Sequence, residues 1–230
     1  MAFTLDLSSA LRVIKRKARV GSDLLPDAEA TESLSDALEE YSGDSERILA
    51  TDVSGTGSVF DLPATFVEGW STIKSVESPI GSRPPIYLVE GSDYEVVHTG
   101  SGTKIQFVSV NPSLPFRVSY RALHTIDGLE SETSTTVPAA HRKAVILLAV
   151  HYAALSMAMN YAGTSTPQNS GDTVNYRTKE QEWRSIAKEY RERYDKVVKE
   201  NDEAAAFILD VEVPRTAGVL PRLWHMRRWT

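Results

Sequence analysis

AVILLAVHYAALSMAMNYA, Ala144 to Ala162, carries no formally charged side chain and is apolar all the way round a helical wheel. As an α-helix it would span roughly 28 Å, close to the hydrocarbon thickness of a bilayer. Three environments suit such a rod: lipid, the centre of its own fold, or a seam between subunits. Much of it is alanine, His151, Ser156 and Asn160 interrupt it, and no Trp–Tyr belts bracket both ends. These features favour a helix sheathed by protein over one in lipid. Ala149, Ala153, Ala154 and Ala158 are small residues at four-residue spacing that let another helix approach closely. A single chain of this size offers few helices to cover every face, so neighbouring copies are expected to complete the cover.

The flanks are read from this helix outward. Downstream, after the polar loop GTSTPQNSGDTVNY, comes TKEQEWRSIAKEYRERYDKVVKEN. Trp183, Ile186, Ala187, Tyr190, Tyr194, Val197 and Val198 recur there every three or four residues, with charge on the other faces. That period predicts a one-sided amphipathic helix. Near the start, Leu5, Leu7, Leu11 and Ile14 predict a helix that ends before Gly21. A second helix is expected from Pro26, a residue suited to a first turn, through Leu34, Leu38 and Tyr41 to SGDS at Ser42–Ser45.

Between the helical zones the pattern changes to short β runs: STIKSV, IYLVE, YEVVHT, KIQFVSV and FRVSYRALH. YEVVHTGSGTKIQFV reads as a hairpin turning at Gly100-Ser101-Gly102, with Tyr94, Val96 and His98 on one face and Ile105 and Phe107 sharing a face of the partner strand. Pro63, Pro79, Pro84, Pro85, Pro112 and Pro115 are expected at strand ends or edges, because proline cannot donate to a ladder. The expected fold class is α+β: a helical bundle with an inserted small antiparallel β domain and an extended C-terminal tail. The segments are N-terminal helices at 1–45, the β-rich insertion at 46–128, long helices at 129–203 and a docking tail at 204–230.

Composition narrows the chemistry. The chain has 230 residues, a formal charge of −6 and no cysteine. Disulfides, thiolate catalysis and cysteine-based metal sites are therefore excluded. Mild acidity argues against a general grip on nucleic acid and permits it to pass without sticking. The basic cluster of MAFTLDLSSALRVIKRKARVG follows the apolar residues, the reverse of a secretory signal. His98, His124, His141, His151 and His225 show no close metal-ligand spacing, although His98 and His124 lie in β runs that a fold can bring together. STIK, Ser71 to Lys74, matches the S-x-x-K spacing of some serine acyl enzymes, but lacks their supporting motifs and sits in a strand-like run. No catalytic, cofactor or metal residue is assigned, and a serine hydrolase using Ser71 and Lys74 is the enzymatic alternative.

The tail is the most unusual segment. Arg222, Trp224, His225, Arg227, Arg228 and Trp229 crowd the last residues, and Pro214 and Pro221 keep the segment from forming one helix. Trp and Arg are enriched at interface hot spots, so this cluster reads as a docking arm for a partner.

The order of segments resembles the head–tail adaptor (connector) proteins of tailed bacteriophages. The resemblance rests on LLPDAEATESLSDALEEYSGDSER, VEGWSTIKSVESP, IYLVEGSDYEV, FRVSYRALHT and AAHRKAVILLAVHYAALSMAM, and covers roughly residues 24–200. Related sequences often carry an aromatic before the proline of the second phrase, where this chain has Ser78. The resemblance implies a non-enzymatic virion protein made in the host cytoplasm, forming a ring, typically a dodecamer, beneath the portal protein. Such a ring extends the DNA channel, lets DNA pass without specific binding, and docks the next neck or tail-completion component. The family brings no catalytic residues. Another neck, tail-completion or minor head protein is the alternative within the same class.

Overall fold

The computed structural model describes residues 5–20, 24–55, 57–100, 102–108, 115–163 and 179–198. Two compact units divide the chain: residues 1–37 with 126–230, and Leu38–Thr125.

The first unit is helical. Helix α1, Leu7–Ala18, starts where Asp6 holds extended backbone and its carboxylate accepts the Ser9 N–H at 2.8 Å. It ends where Arg19 turns left-handed, at φ 57°. Helix α2, Asp27–Asp44, begins just after Pro26, whose carbonyl accepts from Ala30 N at 3.1 Å. Proline therefore stands immediately outside the helix rather than within its first turn. Helix α3 is Arg142–Gly163, preceded by a turn at residues 139–141, so it takes in Arg142 and Lys143 ahead of the uncharged stretch. Helix α4 occupies 179–198.

These helices are tied by named contacts. α1 packs directly on α3. Lys15 Nζ of α1 meets Asp27 of α2 at 2.6 Å, and Tyr190 of α4 donates to the Lys17 carbonyl of α1. His151 of α3 donates from Nδ1 to the Ala187 carbonyl of α4 at 2.8 Å, which fixes its tautomer. Along α4 all seven stripe residues from Trp183 to Val198 are buried or half-buried, as the helical period requires.

The second unit is built from antiparallel strands: β1 Arg47–Val53, β2 Val59–Asp61, β3 Ile73–Glu77, β4 Tyr87–Leu88, β5 Tyr94–Thr99, β6 Gly102–Phe107 and β7 Phe116–Ala122. They form two sheets, ordered β1-β7-β3-β4 and β2-β6-β5. β7 is central to the first and alternates buried with half-buried residues along its length, the signature of a strand with one face in the core. The predicted hairpin is β5–β6, in the register Tyr94↔Phe107, Val96↔Ile105 and His98↔Thr103. Gly102, at φ 114°, supplies the positive dihedral at its turn. Phe60 of β2, Phe107 of β6 and Phe116 of β7 meet edge to face, their centroids 4.9 to 5.7 Å apart, so both sheets share one aromatic core. Pro63, Pro79, Pro84, Pro85 and Pro115 all lie outside strands. Pro112 lies outside the described residues.

The second unit starts at Leu38, inside α2, for a physical reason. The end of α2 has no basic residue in its last turn. Arg121 of β7 instead brings its guanidinium to the Ser42 and Gly43 carbonyls at 3.0 and 2.9 Å, while stacking over the Trp70 ring. A cation at a helix C-terminus satisfies both the free carbonyls and the helix dipole. His124 adds to this lock: its backbone N–H donates to Ser42 Oγ and its ring lies against Tyr41.

Candidate functional site

Three surfaces bear on function: the two ends of α3, the Ser71–Lys74 pair, and the free edge of the larger sheet.

By length and composition α3 passes as a membrane span, with a mean hydropathy of 1.5 in its most apolar window, yet 61% of that window is buried within protein. From Ala144 to Val150 every residue is buried. Ala149, Ala153, Ala154 and Ala158 are each at most 1% exposed within the single chain. The small-residue ladder is thus occupied by the chain's own fold, and a neighbouring copy is not needed to cover it. What stays open is the far end, where Met159 is 69% exposed and Asn160 and Ala162 are also exposed.

Ser71 and Lys74 do not form a catalytic pair in this geometry. Ser71 is buried just before β3, and its Oγ accepts the Val67 N–H at 2.9 Å. Lys74 Nζ turns to Glu46 Oε1 at 3.1 Å. An acyl-enzyme serine needs its hydroxyl proton within reach of a base; here the two side chains answer to different partners. The histidines also go separate ways. His98 lies against Glu68 and Thr103, at 2.8 and 3.1 Å, and His124 donates from Nε2 to the Ser45 carbonyl at 3.2 Å. Among the described residues no group of three His, Asp or Glu is placed to hold a metal.

The edge strands of the larger sheet differ in chemistry. On the β1 side, Asp52 forms an ion pair with Arg117 of β7 at 2.7 Å, and that guanidinium holds the Asp52 carboxyl below its ordinary pKa. On the β4 side, among the described residues, strand pairing reaches β4 only from β3, through Val76↔Leu88 and Glu77↔Tyr87. Ile86, Tyr87 and Val89 stand 51%, 58% and 60% exposed along this edge. Natural sheets usually blunt an edge with charge or proline, because free N–H and C=O groups template another strand. Pro84 and Pro85 blunt the approach to β4, the strand itself has two residues, and Asp93 accepts the Val89 N–H on its carboxylate at 2.8 Å and donates its own N–H to the Val89 carbonyl at 2.9 Å. The sequence marks the strand, and its four consecutive apolar residues, Ile86 to Val89, carry no alternation that would show which side is exposed.

The tail residues Arg222, Trp224, His225, Arg227, Arg228 and Trp229 lie outside the described residues. No protein-family model and no curated protein matches the chain.

Proposed function

We propose that the chain is a structural head–tail adaptor of a tailed phage, a non-enzymatic virion protein that assembles as a ring beneath the portal protein. In this reading the ring is a dodecamer, DNA passes through its channel without sequence recognition, and the β unit docks the next neck or tail-completion component. The tail around Trp224 and Trp229 reaches the portal. The observation that carries the proposal is the apolar patch at the β4 edge of the larger sheet, where Ile86, Tyr87 and Val89 stand exposed. A patch of this kind is suited to cover by an apolar face of another protein. The exposed end of α3 at Met159 supports contact with a sister copy. The separate engagement of Ser71 and Lys74 supports a structural role over hydrolysis.

Imaging of the assembled particle tests this directly. The expected result is a ring of this chain at the head's exit vertex, between portal and tail, with the β4 edge in contact with the following component. A position elsewhere in the neck or tail, or in the head shell, assigns the chain to another completion or minor head protein.

A further inference from the structure

Strand β1, Arg47–Val53, pairs with β7 along all seven of its residues and stands at one edge of the larger sheet. Its other side meets no strand among the described residues. Arg121 of β7, opposite Ile48, donates its N–H to the Thr72 carbonyl on the β3 side at 2.9 Å. The Ile48–Arg121 pair therefore exchanges no backbone hydrogen bonds. By the alternation of an antiparallel ladder, Ile48, Ala50 and Asp52 turn their N–H and C=O groups outward.

The devices that blunt β4 are missing from β1. It is long, and it contains no proline, glycine or lysine. Its two charged residues are engaged with their own unit: Arg47 donates to the Leu123 carbonyl at 2.9 Å, and Asp52 pairs with Arg117. Between them, Ile48 to Thr51 carry no charge. Cover is incomplete as well. Leu49 and Val53 pack against the aromatic core and remain half-buried, and Ile48 is 57% exposed. One more strand along this edge would pair the outward groups and finish the burial.

The chain itself carries a sequence of matching length and pattern. Beyond α4, residues 199–230 lie outside the described residues, and within them 207–213 reads FILDVEV, closed by Pro214. As a strand, this run would put Phe207, Leu209, Val211 and Val213 on one face and Ile208, Asp210 and Glu212 on the other. Laid antiparallel with Asp210 opposite Ala50, its apolar face continues the row of Leu49, Thr51 and Val53, and Ile208 falls opposite Asp52. The parallel alternative would set Glu212 against Asp52, and like charges directly opposite are disfavoured. The exposure of Ile48, Leu49 and Val53 within a single chain shows that the edge is left open by its own copy. We infer that residues 207–213 of a second copy add to β1 as an antiparallel strand and extend the larger sheet from copy to copy. Donor run and acceptor edge are different surfaces of one chain, so the contact repeats head to tail. This goes beyond the adaptor reading and holds for any assembly of the chain.

The test uses the full chain, which has no native cysteine. Paired strands hold opposite Cα atoms within disulfide reach. Under mild oxidation, Ala50→Cys mixed with Asp210→Cys should form a mixed disulfide at least about tenfold faster than Ala50→Cys mixed with Asp202→Cys, because pairing raises the effective thiol concentration. A chain carrying both Ala50→Cys and Asp210→Cys should give a ladder of linked copies. Adding Leu209→Asp and Val211→Asp to the Asp210→Cys chain should lower the rate to that of the Asp202→Cys reference and leave the melting temperature unchanged, which separates lost pairing from lost folding. Equal rates for positions 202 and 210 would overturn the inference, as would a rate untouched by Leu209→Asp and Val211→Asp. A doubly substituted chain that closes on itself without a ladder would overturn the second-copy assignment and give the edge to its own C-terminal run. None of these outcomes depends on where an assembly sits in a particle, so this inference and the adaptor reading fail separately.

Discussion

From Ala144 to Val150 every residue of α3 is buried, whereas Met159, Asn160 and Ala162 near its far end stand exposed. Both stretches are uncharged, and alanine recurs through both. Composition therefore does not set how deeply a helix is covered; the number of occupied sides does. The stretch Ala144 to Val150 is sheathed completely within one chain. The second half is held to α2 by Ser156 and Glu29, at 3.5 Å, and leaves one side to solvent. The contrast argues against lipid, which would have no reason to stop halfway.

Truncation should separate the halves most widely. Leu148→Ala removes a side chain with no exposure and is expected to cost about 2–5 kcal/mol, whereas Met159→Ala should stay within about 0.5 kcal/mol of wild type. Denaturant melts of both variants check this, and equal costs would erase the distinction. Overfilling comes next. Ala153→Phe should destabilise by about 1–3 kcal/mol in the isolated chain, because the space beside Ala153 is already taken by its own fold. Ala162→Phe should leave the isolated chain's stability unchanged, and any effect should appear only on assembly.

The smallest effect concerns the cover itself, since α1 packs on α3. The Ser9 N–H and the Ser8 hydroxyl both donate to the Asp6 carboxylate and hold its pKa below the ordinary value. A carboxyl depressed in the folded state stabilises fully above its unfolded pKa and loses that contribution as pH falls through the folded pKa. Asp6→Ala should therefore cost about 1 kcal/mol near neutral pH, and the difference from wild type should shrink on acidification. A difference that grows in acid would show that another interaction holds α1 in place.

How much of this was legible in the sequence depended on the geometry involved. The α4 stripe and the β5–β6 hairpin follow from spacing within one segment, and both stand in the structure where the spacing puts them. Strands β1 and β2 escaped notice. β1 alternates only between half-buried and exposed residues, so its period carries little apolar contrast, and β2 has three residues. The α+β class was readable, because helical and strand periods occupy separate stretches. The α3 surface was half legible: composition indicated protein cover and did not divide own-chain cover from what remains open.

The absence of native cysteine makes one measurement decisive. Single-cysteine variants Leu148→Cys and Met159→Cys can be compared by thiol labelling rate in buffer, with lipid vesicles, and in the assembled particle. Cysteine at 148 should resist labelling throughout; at 159 it should label rapidly in buffer and with vesicles, and become protected only on assembly. Rapid labelling at 148 in the folded chain, or protection of 159 by vesicles alone, would contradict a helix sheathed by protein along its first half and awaiting protein along its second.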